Sequence, residues 1–396
     1  MSIGTPFHER TSALNRKLAW GDWAGYHAAA CYADFHDIEY NAVRQAAAVF
    51  DVSPLCKYLI SGPDAVALAD RVITRDATRL QPGQVMYTPW CDERGKVIDD
   101  GTIARLDDDR LRWTAADPQY RWLSMNSACL DVEIEDITET VAALALQGPR
   151  SRAVLEAATG EGWDDVGYFR RRRSSLAGVE IDVSRTGYTG DLGYELWIPA
   201  DAAEAAWDAL FTAGAGHGIR PAGIRALDLV RVEAGLILLE VDYTSARHAM
   251  TADHEYSPYE IGLGRLVNLE AGDFVGRRAL RGERDSGGPR RRLVGLEVDW
   301  DGIEREFSRH DLPPAIDAAV DRSPIPLYSR RGQAGRATST CWSPTLKKMI
   351  ALASVDQRYE EPGTRLHMEW SVEGSRGAVE ATVVPLPFLD LDRRRD

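Results

Sequence analysis

Thirteen residues carry the clearest chemical potential: Arg185-Thr186-Gly187-Tyr188-Thr189-Gly190-Asp191-Leu192-Gly193-Tyr194-Glu195-Leu196-Trp197. Gly187, Gly190 and Gly193 lie three apart, so the backbone can take positive φ or pass close to a ligand. Tyr188 offers an aromatic face to a flat heterocycle, and Glu195 offers two acceptors to a ring bearing N–H groups. The structural alternative is a glycine-stabilised β-hairpin with a surface tyrosine, and this stretch alone serves both readings. Asp99 and Asp100 form a second candidate. They follow the turn Asp92-Glu93-Arg94-Gly95, where acids commonly serve local hydrogen bonds.

The elements around these residues follow from pattern. Alternation over Val179, Ile181 and Val183 predicts a strand entering the glycine-rich turn, with a second strand leaving it. Residues 85–90 and 97–103 flank the Asp92–Gly95 turn as a β-hairpin. A strand is expected at Leu111–Thr114 and another at 143–147, the latter ending in Gly148-Pro149. Helices are expected at Tyr40–Val49, Ala65–Val72, around Tyr120–Cys129, at Arg150–Ala157, Ala202–Ala213 and Ala226–Glu233. The polar stretch Arg281–Arg292 has the composition of a linker. Short alternating strands beyond it, at 293–298, 350–355, 365–371 and 379–384, suggest a small all-β unit.

The chain has 396 residues, 44% hydrophobic and 27% charged, a soluble globular composition divided into two or three domains. A net charge of -14 argues against nucleic-acid or anionic-membrane partners. The basic runs at 170–173, 290–292 and 393–395 are flanked by acids and read as solvated faces. Cys31, Cys56, Cys91, Cys129 and Cys341 have neither disulfide-framework nor metal-ligand spacing, so no metal is expected. With no signal-peptide pattern and no apolar run of roughly 18 residues, a cytoplasmic location is the default expectation.

The order of these pieces resembles the aminomethyltransferase (glycine cleavage T-protein) superfamily of folate-dependent one-carbon transferases. The matching pieces are Thr5-Pro6-Phe7, Phe50-Asp51-Val52-Ser53, Gly95-Lys96-Val97-Ile98-Asp99-Asp100, Leu146-Gln147-Gly148-Pro149, Thr186-Gly187-Tyr188-Thr189-Gly190 with Gly193-Tyr194-Glu195, Arg231-Val232-Glu233-Ala234-Gly235, Phe274-Val275-Gly276-Arg277 and Ser343-Pro344-Thr345-Leu346. The resemblance implies an α+β, three-domain cloverleaf with a small C-terminal β-barrel or β-sandwich. Its segments would be 1–55 and 146–280 for a split first domain, 56–145 for the second and 281–396 for the third.

The resemblance further implies tetrahydrofolate in a central channel. Glu195 would bind the pterin edge, Tyr188 would line the channel, and Tyr87 would pack near the ring system. Thr114, standing where relatives carry asparagine, and Arg231, toward the folate tail, complete the cofactor set. Arg231 has a structural alternative, pairing with Asp228 or Glu233 along its helix. Asp99 would be the catalytic acid, orienting folate, stabilising positive charge on an amine or carrying a proton.

The chain departs from T-protein at Pro54 in the first loop, at Leu227 in place of an arginine, and over Leu239-Glu240-Val241-Asp242-Tyr243-Thr244-Ser245 after the Arg231 helix, and Pro258-Tyr259-Glu260-Ile261-Gly262 looks more like the folate-dependent demethylase branch. Leu227, Asp242 and Tyr243 are therefore the candidate substrate-binding residues. The favoured reaction moves a methyl group from a small methylated compound, a methylamine, to tetrahydrofolate, because carboxylates and aromatic faces stabilise such cations. The competing readings are a true T-protein working with a lipoyl carrier protein, an O- or S-demethylase, and a non-catalytic folate-binding protein.

Overall fold

The computed structural model describes residues 2–395. Among the described residues the strands form two large sheets, a two-stranded ribbon of Trp20–Trp23 and Tyr26–Ala29, and a barrel. The first sheet has six strands in the order Arg171–Leu176, Val179–Ser184, Gly193–Pro199, Val141–Gln147, Ala47–Asp51 and Ile219–Pro221, with only the last pair parallel. Period-two alternation gives it two unlike faces. Val49, Leu144, Leu146, Tyr194 and Leu196 meet the helices Ser151–Thr159 and Ala203–Gly214 on one side. Ala48, Phe50, Ala143, Ala145 and Trp197 look to the other. The paired alanines keep that second face shallow, which leaves room for a cavity.

The second sheet is antiparallel, in the order Val85–Cys91, Val97–Arg105, Arg110–Ala115, Cys56–Ser61 and Glu133–Asp136. Trp90 and Trp113 meet edge to face in its core, centroids 5.0 Å apart. The C-terminal unit is a closed six-stranded barrel in the order Arg291–Val298, Lys348–Asp356, Gly332–Ser343, Ile325–Ser329, Arg365–Val372 and Ser375–Val384. The fold is thus α+β and three-part, ending in a closed barrel. Among the described residues no helix is long and apolar enough to cross a membrane.

Four local readings change. The helix expected at Tyr40–Val49 is a helix over His36–Gln45 followed by the strand Ala47–Asp51. Its alanines fit either state, and pairing on both sides decides for strand. The Arg281–Arg292 linker is not unstructured throughout: its first part, to Asp285, ends the helix Arg277–Asp285 with its buried Leu280, and Arg291 and Arg292 open a barrel strand. The strand Val141–Gln147 crosses the expected 145/146 boundary as one piece of the first sheet, so the chain leaves the second unit before Val141. The basic run at 393–395 is not simply a solvated face. The terminal segment returns from the barrel to the first unit, where Arg393 pairs with Asp191 at 2.7 Å and the Leu389 N–H donates to the Glu233 carbonyl.

The units are joined by buried ion pairs. Arg231, on the helix Ile224–Glu233, donates to Asp228 at 2.8 Å, to Asp242, to the Leu236 carbonyl at 3.1 Å and to Ser339 of the barrel at 2.8 Å. Asp242 also accepts from Thr338 at 2.5 Å, Ser339 at 2.8 Å and the Leu238 N–H at 2.8 Å. Removing one partner of such a pair strands the other charge in the interior. Asp242→Asn should therefore lower the unfolding free energy by about 3–5 kcal/mol, whereas Glu240→Gln, in the same loop but half-exposed, should change it by less than about 0.5 kcal/mol. Urea titration of both variants checks this, and equal effects would reject the clamp.

Candidate active site

A cavity of 510 Å³ lies where the units meet, with walls from both sheets, the 236–241 loop, Arg322 and Arg394. This is a size suited to a drug-sized ligand. The hairpin of the second sheet supplies one wall. Along Val97–Arg105, neighbouring side chains point to opposite faces, so Asp99 and Asp100 cannot share a role. Asp100 lines the cavity with Tyr87, Thr102 and Thr114. Its carboxylate accepts from the Tyr87 hydroxyl at 2.6 Å and from the Tyr243 hydroxyl. Burial pushes Asp100 above the usual carboxylate range, and the two tyrosine hydroxyls oppose that rise.

Asp99 is fully buried on the far face. Its oxygens accept from the N–H groups of Asp100 at 2.7 Å and Asp117 at 3.0 Å, and from the Gln119 amide at 3.1 Å. Burial, reinforced by the Asp100 charge, raises it well above its ordinary value. The structure thus places Asp100, not Asp99, on the cavity wall. The signal lay in the alternation: Tyr87 and Thr102 are cross-strand partners, and so are Thr102 and Thr114. Asp100 is two residues from Thr102 and shares its face.

The glycine-rich turn builds the opposite sheet's contribution. Gly187 and Gly193 are required by close approach: a Cβ at either would stand 2.1 and 2.2 Å from the Gln147 amide oxygen. That amide accepts from the Thr189 hydroxyl at 2.7 Å and reaches the Thr186 carbonyl at 3.3 Å, pinning the turn. Gly190 instead has φ +68°. Glu195 and Trp197, two apart on Gly193–Pro199, both face the cavity. Glu195 accepts one protein hydrogen bond, from Thr186 at 2.5 Å, which leaves its other oxygen for a ligand. Burial raises its pKa, opposed by the Thr186 hydroxyl and the Arg112 charge. Tyr188 lines the cavity and donates to the Ile237 carbonyl.

Other candidates sit differently. The Thr114 hydroxyl reaches the cavity but is engaged with Thr102 at 2.5 Å. Arg231 takes the structural alternative, since four of its five N–H donors are occupied. Of the candidate substrate residues, Leu227 lines the cavity. Asp242 does not, being the buried partner of Arg231, and Tyr243 supports Asp100 from behind the wall with 1% exposure. Sequence reading missed Arg394, which donates to Tyr168 at 2.8 Å, and Arg322, which donates to Asp228 at 2.7 Å. No local pattern marks either, because each arrives from a distant part of the chain. At the rim, Asp117, Glu240 and His248 bring oxygen and nitrogen atoms within 4.8 Å of one another on a largely exposed surface.

The chain matches the GCVT N-terminal domain over residues 7–271 and the glycine cleavage T-protein C-terminal barrel domain over residues 291–390. It is 33% identical to an aminomethyltransferase of Caldanaerobacter subterraneus, covering 92% of this chain and 91% of that one. It is 35% identical to a trimethylamine-oxide aldolase of Ruegeria pomeroyi over 100% of this chain, which spans 48% of that protein's length. The crystal structure of glycine cleavage system aminomethyltransferase T from Bartonella henselae superimposes with a TM-score of 0.83 over 98% of this chain and 99% of that one, at 24% identity, a likeness of fold. With both of its domain types present in order and full-length relatives above 30% identity, the chain belongs to the aminomethyltransferase, or glycine cleavage T-protein, family.

Proposed function

We propose that this chain is a tetrahydrofolate-dependent enzyme that moves a methyl group from a small methylated amine to tetrahydrofolate, with Asp100 as its catalytic carboxylate. The observation that carries the reading is one cavity holding two half-buried carboxylates, one from each sheet, in different states of use: Asp100 gripped by two tyrosine hydroxyls, Glu195 with an oxygen free. Reduced folate fits these residues. Its pterin N–H groups match the free acceptor of Glu195, and Tyr188, Trp197 and Phe169 offer ring faces. Arg394, which has no acid partner among the described residues, is the cation open to its carboxylate tail, in place of the enclosed Arg231. When bound, tetrahydrofolate supplies the nitrogen that carries the one-carbon unit.

The chain's own groups do the rest. Six carboxylates and three guanidiniums line the cavity, and two of the guanidiniums, Arg231 and Arg322, are already paired with acids. That field favours a cationic donor over an anionic one. Asp100 stabilises positive charge beside the transferring one-carbon unit, and burial raises its carboxyl above the usual carboxylate range. Tyr87 and Tyr243 hold it in place. The trimethylamine-oxide aldolase likeness adds an N-methylated compound to the relatives. The T-protein reading, with a lipoyl carrier protein as partner, is supported by the aminomethyltransferases matched along nearly their whole length.

Reduced tetrahydrofolate should raise the melting temperature, since a ligand of the native state stabilises it by mass action, and Glu195→Gln should weaken its binding about tenfold. Calorimetry with no heat of binding on well-folded protein would sink the folate reading. A panel of methylamines, methyl ethers, sulfonium compounds and an aminomethyl-lipoyl carrier, assayed for folate-linked product, separates the donors.

The paired aspartates give a sharper test. Asp100→Asn should cut turnover by roughly two orders of magnitude while the chain stays folded. Asp99→Asn should instead cost about 1–3 kcal/mol of stability, because one amide oxygen replaces a carboxylate serving three N–H donors. The proton linkage has a definite sign. Carboxyls raised in the folded state bind more protons there than in the unfolded chain, so their stabilising contribution is full below about pH 4 and is lost as pH rises through the raised values. Asp100→Asn removes part of that loss, so its stability relative to the parent should increase from acid toward neutral pH. Parallel denaturation profiles would contradict this.

A further inference from the structure

A small side pocket of about 20 Å³ adjoins the large cavity and shares Trp23, Ile224 and Leu227 with it. Its other walls include Tyr32, Phe50 and Asp51. No arginine or lysine lines it. Asp51 accepts from the Thr5 hydroxyl at 2.6 Å and the Ser53 N–H at 3.0 Å, and it has no ion-pair partner among the described residues. The nearby Lys57 ammonium donates instead to the Ser53 and Leu55 carbonyls, both at 2.7 Å. The Tyr32 hydroxyl has no hydrogen-bond partner among the described residues either. Burial pushes Asp51 above the usual carboxylate range, opposed by the Thr5 and Ser53 hydrogen bonds and by the Lys57 charge. An enclosed carboxylate is costly unless a cation or further donors meet it.

We infer that this pocket is the cation-recognition subsite for the one-carbon donor, in which Asp51 and the rings of Trp23, Tyr32 and Phe50 receive a small methylated ammonium. The inference rests on reading the large cavity as the one-carbon site. Aromatic faces and a carboxylate together select a cation over a neutral isostere. The volume sets the size: a water needs roughly 10–15 Å³ of such space, so one methyl- or ammonium-sized group enters. The remainder of the donor extends past Leu227 into the large cavity. Methylammonium and dimethylammonium fit this description, and tetramethylammonium is too bulky.

The test is titration calorimetry on the full chain, with and without tetrahydrofolate, using dimethylammonium chloride, tetramethylammonium chloride and neutral propan-2-ol at matched ionic strength. Dimethylammonium should bind more tightly than tetramethylammonium, and propan-2-ol should not compete. Asp51→Asn should weaken dimethylammonium about tenfold, the loss of one charge-assisted contact, and Trp23→Leu should weaken it as well. Asp51→Asn, at a residue outside the large cavity's lining, should bind tetrahydrofolate within about twofold of the parent. Should Asp51→Asn fail to fold, Trp23→Leu decides. The subsite is overturned if the parent binds folate but gives no heat with dimethylammonium, or if the folded variants bind dimethylammonium unchanged. Absence of folate binding with ammonium binding still dependent on Asp51 would reject the cavity reading and leave the subsite standing.

Discussion

One buried guanidinium ties the architecture together. Arg231 reaches from a helix of the first unit to Asp242 in the following loop and to Ser339 on a barrel strand. A charge enclosed there is tolerable only because its donors are matched by acceptors from three segments. The same logic repeats nearby. Arg44 holds Glu233 at 2.7 Å and Asp191 at 3.2 Å, and Glu233 also accepts from Tyr40 at 2.6 Å and Ser343 at 2.5 Å. Each contact is directional, so together they fix how the barrel meets the first sheet. The cavity is what remains between surfaces set in this way.

Against that background the carboxylates without a cationic partner stand out. Asp100 and Glu195 line the cavity, and Asp51 lines the pocket beside it. Tyrosine or threonine hydroxyls and backbone N–H groups hold all three in place. Burial disfavours their charged forms, a pattern that clusters at sites of binding and proton chemistry. The arginines that could have neutralised them are engaged elsewhere, Arg231 with Asp228 and Asp242, and Arg112 with Asp182 at 2.5 Å.

The departures from T-protein acquire places in this frame. Pro54 and Leu227 lie together on the wall of the side pocket. Leu227 also faces the large cavity, so an apolar residue at this position leaves the carboxylates as the dominant charges. Glu240 remains at the rim with a left-handed backbone, φ 62°. Asp242, two residues on, turns inward to the guanidinium. A run of acids in sequence therefore splits between solvent and core.

Much of this was readable from residue order. The strand–turn–strand around Gly187–Gly193, the hairpin before Asp99, the helix Ala65–Val72 and an all-β C-terminal part follow from turn chemistry and alternation. Motif order indicated the family, and with it Tyr87, Tyr188 and Glu195, which the structure brings to one cavity. Tertiary structure decided the rest. Alternation says that Asp99 and Asp100 oppose each other, but not which face lines the cavity; the pairing of Thr102, on Asp100's face, with Tyr87 and Thr114 on the cavity wall settles that for Asp100. Helix periodicity allowed Arg231 to pair with Asp228, yet Asp242 and Ser339 come from beyond the helix. The side pocket joins Trp23, Phe50 and Leu227, residues far apart along the chain. Local pattern encodes which way a side chain points from its own element, whereas the partner it meets depends on long-range packing that no short window of sequence contains.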